Sequence, residues 1–343
     1  MNAERRFMNA EKRFMNAEKR FLHAERRFMQ TKIGIYGMNG HQINDLKHDR
    51  ARIVAAACCG QEWDGVKTYN SLEEMLADQE IDMISLCSPR RADQARQAIA
   101  CMEAGKHVFA EKPCAMSIED LDMIIETSKR TGKIFHEMAG TAFSEPYASM
   151  RDLVAQGIIG DVVQVFAQKS YPYHDGRPQD ENIDGGLIEQ AGIHAIRFIE
   201  HVAGQKIVNV SAVETSYSNP HKGGLKMAAS IAMELENGGV ASVISNYLNQ
   251  KGFGRWGNEH LRIFGTFGFV ESVDAGTKTR LVLGDEDKGA ITMENGGPSF
   301  FDAILNQIQN GAAPPLSIED ELHPTRVVIL AKESAIRGCF VKI

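Results

Sequence analysis

Short apolar runs alternate with capped, amphipathic stretches along the first half of the chain. Strands are expected over residues 32–36, 52–58, 82–87, 108–111 and 133–137. A helical stretch is expected after the Gly37-Met38-Asn39-Gly40-His41 turn, and another over residues 92–104, stopped by Gly105. Ser71-Leu72-Glu73-Glu74 and Ser117-Ile118-Glu119-Asp120 each open a helix with a side-chain cap. Strands that alternate with helices imply a parallel sheet. From about residue 150 the pattern changes. Strands are expected over residues 162–170, 208–216, 228–236, 240–247, 260–264 and 269–273, with turns such as Asn237-Gly238-Gly239 between them. That is hairpin-rich, antiparallel patterning. One helix, residues 187–203, falls between the first two of these strands and ends at Gly204. The expected division is a nucleotide-binding half over residues 31–150 and a second half over 151–343.

Residues 1–30 stand apart. A heptad runs four times, as MNAERRF, MNAEKRF, MNAEKRF and LHAERRF. Phe7, Phe14, Phe21 and Phe28 alternate with Ala3, Ala10, Ala17 and Ala24 in the 4-then-3 spacing of a and d positions. Neither Gly nor Pro interrupts it, so the expectation is a helical tail outside the chemistry, with a coiled-coil arm as the alternative. Arg5-Arg6-Phe7 and Arg26-Arg27-Phe28 have no apolar segment after them, which argues against an export signal. Met29, just before the first strand, is a candidate start.

Composition narrows the class. At 343 residues the chain has room for about two domains. A net charge of -7 gives no whole-chain argument for nucleic acid or anionic membrane partners. Cys58, Cys59, Cys87, Cys101, Cys114 and Cys339 form no Cys-x-x-Cys pair, which suits a reduced cytoplasmic protein without metal or disulfide framework.

The chemistry concentrates where strands end. The turn at Gly37, Asn39, Gly40 and His41 follows the first strand, the place where a pyrophosphate sits on a helix N-terminus. The Gly-x-Gly-x-x-Gly pattern is imperfect, with Asn39 and Gln42 at its second and third positions. Asn tolerates left-handed backbone, so Asn39 is an acceptable substitute. Ser88-Pro89-Arg90 and Glu111-Lys112-Pro113 close other strands on the same sheet edge and face the same cleft. Pro113 removes a backbone donor and ends its strand. Lys112 is then either a solvated turn lysine or a group that holds a substrate oxygen beside a nucleotide. At the end of the second strand, Cys58-Cys59-Gly60-Gln61 stands where an acid usually holds the ribose diol, and no arginine stands there for a 2′-phosphate. The cofactor is NAD or NADP, leaning to NAD.

With these pieces in order, residues 31–343 resemble the Gfo/Idh/MocA family of nicotinamide-dependent oxidoreductases. The resemblance rests on IDMISLCSP at 81–89, AGKHVFAEKP at 104–113, GIIGDVVQV at 157–165, GGLIEQAGIHAIRF at 185–198 and IFGTFGFVES at 263–272. It implies an α/β fold: a Rossmann domain with a parallel sheet, then an α+β domain with an open, mostly antiparallel sheet that often mediates oligomers. It also implies hydride transfer between a sugar or cyclitol carbon and nicotinamide. The family's Asp-x-Gly-x-His pattern appears here with Gln190 in place of Asp, and with Gly192 and His194 matching. Arg197 replaces a second Asp. On this reading His194 is the general base and Lys112 stabilises the developing oxyanion. Gln190, Tyr173 and His174 contact substrate, and Trp256 and His260 are further candidates for the pocket lining. The expected partner is a small sugar or polyol, in a homo-oligomer without nucleic acid or membrane contacts. Three alternatives remain: a metal enzyme using His174, Glu189, His194 and His201; an enzyme that cleaves or eliminates without net redox change; and a non-catalytic nucleotide or sugar sensor.

Overall fold

The computed structural model describes residues 30–138, 140–293 and 299–343; the heptad repeats lie outside the described residues. Six strands, β1 (Thr31–Tyr36), β2 (Ala51–Ala57), β3 (Lys67–Tyr69), β4 (Met83–Leu86), β5 (His107–Glu111) and β6 (Phe135–Met138), form a sheet in the order β3-β2-β1-β4-β5-β6. Every pair in it is parallel. The near-continuous burial of β1, β4, β5 and β6 follows, because crossovers cover both faces of a parallel sheet. The order reverses between β1 and β4, so the cleft opens above the Gly37 turn and Ser88-Pro89. Helices α1 (Leu72–Leu76), α2 (Gln94–Glu103) and α3 (Ile118–Thr131) supply three of the crossovers. Ser71 Oγ accepts the Glu74 N–H at 3.2 Å and Ser117 Oγ accepts the Asp120 N–H at 3.1 Å, as the cap patterns require.

The helix expected after the glycine turn does not form. Residues 41–50 are bends and turns, with one bridge from His48 to Ala51. The reason is length. Residues 37–50 alone join β1 to β2, and with five of them in the glycine turn the other nine would make a helix of about 13 Å. That is short of the roughly 20 Å needed to retrace a six-residue strand. A later segment covers that face instead. Helix α6 (Phe300–Asn310) buries Phe300, Ile304 and Leu305 against Ile33, Ile35, Met83 and Phe109. Arg50 donates to Asp302 and Asn306, and the Gln309 amide donates to Thr31 Oγ1 at 3.0 Å.

Helix α4 (Tyr147–Ala155) leads into the second sheet. Its strands are β7 (Val162–Ser170), β8 (Ile207–Thr215), β9 (Ala228–Leu235), β10 (Val240–Asn246), β11 (Asn258–Gly265), β12 (Gly268–Val273), β13 (Lys278–Leu283), β14 (Glu286–Gly289) and β15 (Val341–Lys342). They lie in the order β14-β13-β12-β11-β7-β10-β9-β8-β15, antiparallel except where β10 pairs parallel with β7. Burial alternates along β9, β10 and β11, so one face packs and the other is open. The packed face holds Val165, Ala167, Ile231, Val243 and Ile263 against the segment carrying His194. That segment, α5, runs over residues 188–202; its middle, Ile193–Arg197, is α-helical, and its flanks Ile188–Gly192 and Phe198–Val202 are π-helical. Helix α7 (Ile318–Arg337) serves both halves, with Leu322 and Ile329 in the core beside the parallel sheet and Val327, Val328 and Ala331 in the core beneath the second.

Candidate active site

The glycine turn is built by exclusion. Gly37 has φ +69° and a Cβ there would lie 2.1 Å from the Cys87 carbonyl oxygen. Gly40 has φ +122° and a Cβ would meet the Glu111 carboxyl at 2.5 Å. Only glycine fits either place. Asn39 is locked from both sides. Its side-chain amide donates to the Ile183 carbonyl at 2.6 Å, and its own carbonyl accepts from Arg91 at 2.7 Å. The backbone N–H groups of Arg91 and Ala92 donate to Ile183 and Asn182 at 3.1 Å each. Asn182 and Ile183 of the second half are thus strapped to the rim of the first.

Glu111 and Lys112 end β5 below this turn. Glu111 accepts the His41 N–H at 3.1 Å and faces His41 Nδ1 at 3.0 Å. Burial alone would raise its pKa; the Lys112 ammonium, His41 and Arg91 outweigh burial and hold it at about 2. The Lys112 side chain is fully buried, with Nζ donating to the Gln190 carbonyl at 2.8 Å and standing 3.5 Å from Glu111 Oε1. Burial pulls the Lys112 pKa down, and Glu111 opposes it.

His194 comes to the same place from α5. Its ring centroid is 6.3 Å from that of His41 and 6.4 Å from that of Tyr171. Both ring nitrogens are buried and neither has a hydrogen-bond partner. Burial, then the charges of Lys169 and Lys112, push its pKa well below the usual histidine value, so the ring is neutral at physiological pH. A neutral imidazole with two unsatisfied nitrogens is an acceptor awaiting a donor.

Above this pair lies a cleft of about 320 Å³ lined by Asn39, His41, Tyr171, His174, Gln190 and Trp256 among others. A second cavity of about 520 Å³, reaching Glu145, Lys169 and Glu259, shares His41, Tyr171 and Trp256 with it. Arg177 forms a wall of the first, stacked over the Tyr247 ring at 3.6 Å while donating to the Pro172 carbonyl. Asp184 forms another, and burial raises its pKa.

The sequence candidates separate accordingly. Gly40, His41, Asn39, Gln190 and His174 line the cleft, and Lys112 and His194 lie directly beneath it. Ser88 is fully buried with its hydroxyl turned to Gln97, while Pro89 and Arg90 are exposed on the rim. Tyr173 stands outside the lining; its hydroxyl donates to Asp175 and its ring packs on His221. Trp256 is a lining residue, whereas His260 packs against Phe166 on the sheet. Among the described residues no group of three His, Cys, Asp or Glu side chains could hold a metal ion. Residues missed from sequence are Arg177, Asp184, Lys169 and Glu137. The first two lie between the Tyr173-His174 candidates and the 185–198 motif, and Glu137 stands next to last in a strand whose end lies on the sheet edge where ligands gather.

A dinucleotide fits the turn in part. The cradle at Gly37 and the open rim at Pro89 and Arg90 suit close approach of a pyrophosphate. No helix N-terminus follows, so the local positive charge there belongs to side chains. At the end of β2, Cys58 is exposed with φ +54° and offers no carboxylate.

Comparison with known proteins agrees with this architecture. Residues 27–138 match the family described as an oxidoreductase family with NAD-binding Rossmann fold, and residues 147–271 match the GFO/IDH/MocA C-terminal domain. A myo-inositol 2-dehydrogenase of Thermotoga maritima is 24% identical over 320 residues, 88% of this chain and 90% of the relative. A bovine trans-1,2-dihydrobenzene-1,2-diol dehydrogenase is 25% identical over 225 residues, 65% of this chain and 64% of its own. A solved structure from Thermotoga maritima, assigned as an oxidoreductase, superposes with a TM-score of 0.82 at 27% identity, covering 91% of this chain and all of that one. With both halves matched in order, the chain belongs to the Gfo/Idh/MocA family of NAD(P)-dependent oxidoreductases.

Proposed function

We propose that this enzyme oxidises a hydroxyl-bearing carbon of a sugar or cyclitol, with His194 as general base and Lys112 as the oxyanion-stabilising cation. The observation that carries the reading is the pairing beneath one cleft of a buried lysine and a buried histidine with no partner on either nitrogen. When bound, a dinucleotide would supply the nicotinamide carbon that accepts the substrate's hydride. The substrate hydroxyl reaches His194 by displacing the His41 ring, whose side chain is 59% exposed. Neutral His194 takes the hydroxyl proton, and Lys112 offsets the charge left on oxygen. Gln190 and His174 hydrogen-bond neighbouring hydroxyls, and Tyr173 supports the loop that carries His174. Arg90, exposed on the rim, supplies the positive charge that a helix N-terminus gives elsewhere. Relatives named for inositol and dihydrodiol oxidation support the substrate class.

On this reading residues 31–150 hold the dinucleotide and residues 151–343 hold substrate and build the oligomer. The open face of the second sheet, with Val163, Val213 and Val240 exposed, supports a homo-oligomer. Six free thiols support a reducing, cytoplasmic location. The test is a thermal-shift titration with NAD and NADP, followed by a turnover screen with myo-inositol and aldoses. Reduction of one added dinucleotide by a polyol is expected. A second reading, hidden redox without net turnover, is favoured by the strap of Asn182 and Ile183 over the rim, which suits a retained cofactor. Dinucleotide that copurifies, with no net reduction of added NAD or NADP, would select it.

A further inference from the structure

Glu137 is the penultimate residue of β6, with its side chain fully buried, outside the cleft lining. One carboxylate oxygen accepts the Cys114 N–H at 2.6 Å, two residues past Lys112. The other accepts from the Arg197 guanidinium, three residues past His194 on α5, and from Thr325 Oγ1 of α7 at 2.8 Å. The backbone of Glu137 is held in turn, its N–H donating to Glu321 Oε1 at 2.9 Å. Glu321 faces His136 Nδ1 at 2.6 Å, and His136 Nε2 faces Gln307 Oε1 at 2.8 Å. A carboxylate is rigid and planar, so what each oxygen holds is fixed relative to what the other holds. The Lys112 turn and the His194 helix come from different halves of the chain, and this group joins them.

We propose that Glu137 is a positioning residue that sets the spacing of Lys112 and His194 by bracing the Lys112–Cys114 turn to α5 through Arg197. The catalytic consequence of the bracing rests on the assignment of Lys112 and His194 as the reacting pair; the bracing itself is geometric. A second effect comes with it. The groups facing His194 are Lys169 from β7, Tyr171 just past its end, Lys112 from the turn, His41 from the glycine loop and Arg197 on its own helix. Glu137 neutralises Arg197; without that charge, Arg197 disfavours the imidazolium more strongly.

The test is Glu137→Gln in the full chain. The amide keeps an acceptor for Cys114 but loses the charge for Arg197. Dinucleotide Kd, measured by fluorescence quenching, is expected within about twofold of wild type. The value of kcat is expected to fall roughly ten- to a hundredfold, the scale of an ångström-level misplacement. The acid limb of the kcat/KM profile is expected to move to lower pH, and the Lys112 Nζ to Gln190 oxygen contact to lengthen in a crystal structure. Unchanged kcat and acid limb in folded protein overturns the proposal, as does an unmoved Lys112 contact. If the single variant does not fold, Glu137→Met/Arg197→Met removes the buried pair without leaving a lone charge; the kcat and Lys112-contact outcomes then apply, while the acid limb is not expected to move to lower pH, because the Arg197 charge leaves with that of Glu137. A wild type that oxidises no polyol defeats the catalytic assignment alone, because the Lys112 contact in the variant still decides the bracing.

Discussion

Replacing Lys112 by Met removes a charge from a place without water and keeps the side chain's length. The ammonium stands 3.5 Å from Glu111 Oε1, an attraction of about 5 kcal/mol at an effective dielectric near 20, before the cost of desolvation. Breaking a buried pair by deleting one member costs about 3–5 kcal/mol, because the other charge is left behind. Here His41 and Arg91 remain beside Glu111, so the lower end applies. The same substitution removes the lysine that donates to the Gln190 carbonyl. Loss of one preformed oxyanion donor costs about 2.7–4 kcal/mol in the transition state, or 10²–10³ in kcat. Two effects of similar size must then be separated. Adding Glu111→Gln removes the stranded carboxylate, and the double variant is expected to recover most of the Tm lost by Lys112→Met. Its kcat is expected to stay 10²–10³ below that of Glu111→Gln alone, with dinucleotide Kd unchanged between the two. Turnover that returns together with Tm would show that Lys112 acts only on the fold, and the catalytic argument would fail.

Three further outcomes follow from the same geometry. In kcat/KM against pH, His194 is competent when neutral, so activity falls on the acid side with a midpoint well below 6.5; Lys112 is competent when charged, so it falls on the alkaline side below 10.5. An acid midpoint at or above 6.5 contradicts His194 as base. Gly37→Ala forces a Cβ against the Cys87 carbonyl at 2.1 Å in a left-handed residue, costing about 1–2 kcal/mol for the backbone alone; NAD(P)-induced thermal shift is expected to vanish, and a retained shift would refute the cradle. Acid stability is the third. His107, whose Nδ1 accepts the Ile134 N–H, and His201 are held near 4 chiefly by burial, so each stabilises fully above 6.5 and loses that contribution as pH falls through 4. Glu111 adds a loss between about 4.5 and about 2. His107→Asn is expected to flatten the decline of Tm between pH 6.5 and 4, and an unaltered slope counts against the assignment.

Much of this architecture is legible in the chain because local signals and tertiary outcome agree. Ser71 and Ser117 cap where their patterns place them, and the runs ending at Tyr36 and Glu111 are buried strands. The glycine turn shows where local reading ends. Nothing in residues 41–50 forbids a helix; the distance back along β1 does, and that distance exists only in the folded sheet. Helix α6 has a clear apolar face, yet no local feature says that it belongs against β1. For the site, the i, i+4 relation of Gln190 and His194 suggests one shared face. The π-helical turn at Ile188–Gly192 changes the angle, so Gln190 lines the cleft while His194 lies beneath it. Glu137 carries no motif, since its role depends on Cys114, Arg197 and Thr325 converging from three other segments.

The late arrival of α6 has a consequence for synthesis. Arg50 meets Asp302 across 252 residues of chain. At about 5–20 residues per second, the ribosome needs roughly 10–50 s to supply that span. Until that interval ends, Ile33, Ile35 and, once made, Met83 and Phe109 stand in the nascent parallel sheet without their cover. The first half is therefore a poor candidate for excision as a stand-alone dinucleotide binder, and a natural client for a holdase until the last helices emerge.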